Sequence, residues 1–179
     1  MRWALVMIVI TVEAPTIQYD KGPLVKNHVR PIAIAIIKRQ DPSGAEAILV
    51  IEGHNPHTGE TFYRPLGGGI ELGETGVQTV RRELYEEAGL ELSDVCYLAT
   101  LENIFTYGGE IGHEIVMVYS AQLAKSAIQA YEQDEIQCVE DNGAPFLARW
   151  MPLSRFGDGG PALYPNGLLD LLTAETQLS

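Results

Sequence analysis

Cysteine is scarce: Cys96 and Cys138 are the 2 in a chain of 179 residues. Two thiols at this length make no disulfide framework, so the expectation is a pair of buried free thiols and a reducing, cytoplasmic setting. Basic residues are also few. The chain has 12 Lys and Arg against 24 Asp and Glu, a net charge of −12. That balance argues against nucleic acid as a partner, because phosphate backbones attract cationic side chains. A small anionic molecule is still admitted if metal cations bridge it to acidic groups. Long apolar runs are missing. Residues 3–12 (WALVMIVITV) are apolar but far short of the ~20 residues that a membrane-spanning helix needs. No A-x-A-like cleavage site follows them, and their β-branched content favours a strand or an irregular N-terminal arm, with a targeting segment as the alternative. There is no Gly-Lys-Ser/Thr tripeptide, which excludes a P-loop. No repeat, low-complexity tract or clear linker interrupts the chain.

What is present fits one domain with a sizeable core. Residues 1–30 read as an arm or strand, and residues 31–179 as the domain proper. PIAIAIIKR (residues 31–39) reads as a buried strand. QDPSGAE is a turn with Pro42 and Gly44 as punctuation, and AILVIEG (residues 47–53) is the strand that returns from it. A polar loop follows, and TFYRPL leads into three glycines. Residues 75–88 predict a helix that Thr75 caps and Gly89 stops, with Val77, Val80, Leu84 and Ala88 on one face. VCYLATLENIF and HEIVMVYSAQL read as two strands of a second hairpin around TYGGEIG. Residues 125–144 are polar and acidic, a loop with some helix. LARWMPLSRF is a last strand and turn, and a short helix with Leu168, Leu169, Leu171 and Leu172 on its apolar side ends the chain. Strands on both sides of a helix, with a second helix at the end, point to an α/β fold with a mixed sheet covered on both faces.

One segment names a chemistry: GGIELGETGVQTVRRELYEEAGL, from Gly68 to Leu90. Glu83 lies one helical turn before both Glu86 and Glu87, so the three carboxylates share a narrow arc at the edge of the apolar stripe. Their mutual repulsion is relieved by a hard divalent cation. Mg²⁺ or Mn²⁺ takes carboxylate oxygens and completes its shell with water and phosphate oxygens. Gly67, Gly68 and Gly69 permit close approach of a ligand to the backbone, just before a helix N-terminus that favours negative charge. Glu74 stands at that end, and Arg82 is placed to pair with a glutamate and hold its orientation.

The segment resembles the signature of the Nudix hydrolases, G-x5-E-x7-R-E-U-x-E-E-x-G-U with U aliphatic, at every specified position. TFYRPLGGGIELGE, ENIFTYGGEIGHE and LARWMPL are also similar to stretches of bacterial, MutT-like members. The resemblance implies an α/β/α sandwich around a mixed sheet. It implies hydrolysis of a nucleoside diphosphate linked to another group, with Mg²⁺ or Mn²⁺ as cofactor. Glu83, Glu86 and Glu87 would be metal ligands, with a backbone carbonyl from Gly68 or its neighbour. Arg82 and Glu74 would orient that set. The general base is open: Glu86 serves as well as a base as it does as a ligand. Outside the box Glu102, Glu110, Glu114, Glu140 and Asp141 are candidates, with Glu114 ranked first.

Arg64 and the glycines Gly68 and Gly69 are the expected phosphate contacts, and Phe62, Tyr63, Phe105 and Tyr107 the candidates to stack on a base. His54 and His57 show no metal-ligand spacing and are expected in solvent. The expected partner is a nucleotide-type small molecule, with ADP-ribose or a nucleotide sugar favoured. The family also commonly forms homodimers, for which the apolar N-terminal stretch would serve. A nucleotide-sensing module without turnover is the alternative, but degenerate boxes usually mark such proteins and this box is intact.

Overall fold

The computed structural model describes residues 28–140 and 143–176. The expected N-terminal arm therefore lies outside the described residues except for its last few positions, as does Asp141. Strand β1 (Arg30–Gln40) opens the fold, followed by β2 (Glu46–His54), β3 (Thr61–Pro65) and β4 (Gly67–Gly69). Helix α1 (Gly76–Ala88) comes next, then β5 (Leu92–Tyr107), β6 (Glu110–Leu123), β7 (Glu135–Val139), β8 (Pro145–Pro152), β9 (Ala162–Leu163) and helix α2 (Leu168–Thr176).

The strands form one mixed sheet in the order β5-β6-β1-β2-β3-β9, with β4 on β1 and the β7–β8 pair on β2. The β1–β6 and β3–β9 pairs are parallel. β1 splits its pairing along its length. Residues 30–37 run beside β6, Ile32–Ile34 also pair with β4, and Lys38–Gln40 turn over to β2. A cleft opens where the two halves of the sheet part.

The sequence of β1 explains the layering. Successive side chains of a strand point to opposite faces, and β1 is covered on both, which is why it reads as an unbroken apolar run. Ala33, Ala35 and Ile37 belong to the core under α1, with Val80, Leu84, Leu49 and Trp150. Ile32, Ile34 and Ile36 belong to the opposite core, with Leu168 and Leu172 of α2 and Phe156. The α/β/α sandwich expected from the sequence is the fold found.

Several local expectations also meet the structure directly. Thr75 caps α1 in a capping box with Gln78, and Gly89 ends it in the left-handed conformation at φ 64°. Val80 and Leu84 are fully buried, with Val77 and Ala88 packed at the edge of the same core.

Four readings need correction. The glycines, which the sequence assigns to no strand, form a short one, because they pair with β1. The second hairpin is longer than expected: β5 and β6 run on to Tyr107 and Glu110 and turn on Gly108 and Gly109 alone, both at positive φ. The acidic stretch at residues 125–144 holds a 3-10 turn and strand β7, whose alternate residues Ile136 and Cys138 are buried against β8. The other face of β7 carries Glu135, Gln137 and Val139, and five alternating residues do not stand out within the polar stretch. Finally, Cys138 is a buried free thiol, pushed up by burial to about 11, but Cys96 is exposed.

Leu84 sits at 0% exposure in the core under α1. Leu84→Ala should cost about 2–5 kcal/mol, read as a fall in the urea midpoint with an unchanged slope.

Candidate active site

Helix α1 delivers the acidic residues, and Arg82 organises them. Its Nε and Nη2 donate to the two carboxylate oxygens of Glu74, each at 2.9 Å. Nη1 donates to Glu83 Oε1 at 2.9 Å and to Glu86 Oε2 at 3.3 Å, and Nη2 also reaches the carbonyl of Gly69 at 3.2 Å. One planar cation thus ties three carboxylates to the glycine strand. Glu74 also accepts from Thr79 Oγ1 at 2.8 Å. The Arg82 guanidinium beside it, more than any other neighbour, pulls the Glu74 carboxyl down to about 2. The carboxylates in turn hold Arg82 more firmly protonated than usual.

The glycine strand meets the helix without a gap. A Cβ placed on Gly68 would lie 2.2 Å from Glu83 Oε1, so the Glu83 carboxylate rests against the backbone there and a side chain at residue 68 would displace it. Beside this contact opens a cleft of about 780 Å³, a size that suits a small organic ligand. Gly67, Gly68, Gly69, Glu83 and Glu87 line its acidic end. Arg30, Glu114 and Asn103 stand on another wall, Glu140 and Arg64 also border it, and Phe62, Phe105, Tyr107 and Tyr164 line the remainder.

The structure brings some of the expected residues together and leaves others apart. Glu83 and Glu87 face the cleft, one turn apart. Glu86 does not line it; half exposed, it turns to Arg82. Among the described residues no three His, Cys, Asp or Glu side chains are gathered into a metal cage. The oxygen donors that meet in the cleft are nonetheless of the kind that Mg²⁺ and Mn²⁺ take, and the seat of Glu83 on Gly68 puts carboxylate and backbone in contact there.

Glu114 lines the cleft, held by Asn103 Nδ2 at 3.2 Å and by Arg30 at 3.6 Å. Glu102 and Glu110 lie outside it, and Glu102 pairs with His113 at 2.8 Å. Arg64 reaches the Gly67 carbonyl at 3.5 Å. Tyr63 is a core residue bonded to Glu52, not a cleft aromatic, because it points to the opposite face of β3 from Phe62. His54 and His57 are exposed.

Arg30, Asn103 and Tyr164 are among the cleft residues that the sequence does not single out. Arg30 reaches the site through the parallel β1–β6 pairing that sets it opposite Glu114. Asn103 is buried, bonded to Glu114 and to the backbone N–H of Asn166. A polar residue at an inward position of a strand was its one visible signal.

Fold, acidic helix and glycine strand together define a class, and comparison with known proteins agrees. Residues 29–166 match the NUDIX domain family model, and the chain belongs to the Nudix hydrolase family. It is 32% identical over 101 residues to the NAD-capped RNA hydrolase NudC of Pectobacterium carotovorum, a match covering 56% of this chain and 34% of that protein. With NudC of Actinobacillus succinogenes the identity is 28% over 147 residues, covering 79% of this chain and 46% of the relative. The chain thus spans less than half the length of these relatives.

Among solved structures, a MutT Nudix hydrolase from Burkholderia pseudomallei superposes with a TM-score of 0.56 at 23% identity, covering 81% of this chain and 97% of that one. The Nudix domain of NrtR from Shewanella oneidensis, solved with ADP ribose, gives 0.54 at 19% identity, covering 90% and 95%.

The Glu74–Arg82 contact has a pH signature. With its carboxyl lowered from 4.5 to about 2, Glu74 adds stability above about pH 4.5 that is lost as pH falls toward 2. Glu74→Gln should therefore be less stable than the parent at neutral pH, and the difference should shrink through that window. Thermal unfolding at a series of pH values reads it.

Proposed function

We propose that this protein is a pyrophosphohydrolase that cleaves a nucleoside diphosphate linked to a second group, with a divalent cation, Mg²⁺ or Mn²⁺. The observation that carries this reading is the cleft itself, with carboxylates and glycine backbone at one end and four aromatic rings at the other. A pyrophosphate belongs at the first end and a planar base at the second. Glu83, Glu87 and the backbone at Gly68 would hold the cation. When bound, it would neutralise the phosphates and make a coordinated water more acidic.

The chain's own residues divide the remaining work. Arg82 spaces Glu83 and Glu86 and ties them to Gly69, so the acidic end is held in shape by the chain's own groups. Arg64, at the border of the cleft, would meet a phosphate oxygen. Glu114, fixed by Asn103 and Arg30, takes the proton of the attacking water. In that step an O–P bond forms, the bridging P–O bond breaks and the second phosphate leaves with its electron pair. Glu86, outside the cleft, supports the set through Arg82.

The substrate we favour is of the ADP-ribose or dinucleotide kind. The relatives named as NAD-capped RNA hydrolases and the neighbour solved with ADP ribose support that choice. The net charge of −12 favours a small molecule over a long nucleic acid.

A panel of ADP-ribose, NAD, nucleotide sugars, dinucleoside polyphosphates and nucleoside triphosphates, each with Mg²⁺ and Mn²⁺, tests the reading. Release of AMP from ADP-ribose or NAD is expected. Tight binding with no turnover under any metal would instead mark a sensing module. Glu114→Gln should lower kcat by roughly 10²–10⁴-fold. Glu86→Gln should lose about 10–100-fold, as an outer support does, and less than Glu83→Gln or Glu87→Gln.

A further inference from the structure

Two glycines beneath the aromatic rings of the cleft sit where backbone conformation does not require them. Gly53 is in β2 and Gly112 in β6, and neither has a positive φ. Glycine inside a strand weakens it and often marks a place where another group must come close to the backbone. Here that group is a phenylalanine ring. Gly53 pairs directly across from Phe62, and Gly112 directly across from Phe105. A Cβ on Gly53 would fall 2.3 Å from the Phe62 ring, and one on Gly112 would fall 2.3 Å from the Phe105 ring. Each ring therefore lies down across its partner strand instead of standing up from the sheet.

The two pairs come from different halves of the sheet, and Tyr164 joins them. Its ring centroid is 5.5 Å from that of Phe62 and 6.4 Å from that of Phe105. Tyr107 meets Phe62 edge-on at 6.3 Å. All four rings border the cleft.

We infer that Gly53 and Gly112 are specificity-determining residues: by letting Phe62 and Phe105 lie flat, they keep the aromatic end of the cleft wide enough for a planar heteroaromatic ring. Ring faces and edges of this kind attract another π system, and the nucleobase of a nucleotide is such a ring. A methyl group at either glycine tips the phenylalanine into the space the base would fill. This inference rests on the nucleotide reading above but not on turnover.

The test is a binding measurement by calorimetry, with AMP and ribose 5-phosphate as the two probes. They share the phosphate and ribose and differ in the base. The wild-type protein should prefer AMP by roughly tenfold or more, the range that stacking of a base on aromatic side chains supplies. Gly112→Ala and Gly53→Ala should remove most of that preference and leave ribose 5-phosphate binding unchanged. Adding Phe105→Ala to Gly112→Ala should recover AMP binding relative to the single variant, because the displaced ring is gone.

The inference is overturned if the wild type binds both probes alike, or if the alanine variants keep its preference. It is equally overturned if the variants lose both probes together and the second substitution rescues neither, which is the pattern of general damage to the sheet. Hydrolysis assayed in parallel keeps the two readings apart. A wild type that prefers AMP but turns over no substrate leaves this inference standing and removes the hydrolase.

Discussion

The site depends on one guanidinium. Arg82 lies among five glutamates, Glu71, Glu74, Glu83, Glu86 and Glu87, and it bonds three of them at once while holding the carbonyl of Gly69. Without it, Glu74, Glu83 and Glu86 would repel one another across a short distance, and the helix would lose its tie to β4. A planar donor with several N–H groups in fixed directions can do this; an ammonium on a flexible stem cannot. The acidic end of the cleft is preorganised in this sense.

That preorganisation needs a rigid base, and β1 supplies it. Its alternating faces bury small alanines toward α1 and isoleucines toward α2, so the glutamate helix is seated close to the sheet. Because β1 passes from β6 to β2 along its length, the sheet divides at that strand, and the cleft lies in the division. One wall comes from β5 and β6 and the other from β3 and β9. The two chemistries of the cleft have the same origin: charged groups where the helix edge meets β4, and aromatic rings where the two walls approach.

Much of this was legible in the chain, and the legible parts share a cause. The helix from Gly76 to Ala88, its caps at Thr75 and Gly89, and the strands β1, β2 and β8 are written in short-range periods and capping residues. The acidic residues of α1 follow from the same local frame. What stayed hidden was either short and set in a polar stretch, as β7 was, or held by pairing, as β3, β4 and β9 were. In β4 three glycines have no side-chain pattern to read, and only the amides of β1 make them a strand. Arg30, Asn103 and Tyr164 joined the site through contacts spanning much of the chain.

The sequence alone determined the family-defining frame of glycine, glutamates and arginine, and with it the class of chemistry. It could do so because helical geometry converts spacing into position over one or two turns. Tertiary structure decided which glutamates look into the cleft. Glu86 and Glu87 are neighbours in the chain, yet about 100° of helical rotation sends one to Arg82 and the other to the cleft. It also decided that Glu114 stands on the cleft wall: Glu102 points to the opposite face of β5 from Asn103, Glu114's partner, and Glu110 lies four residues away at the hairpin end of β6. The shape of the aromatic end was likewise set by two glycines whose significance depends on the ring lying across each of them.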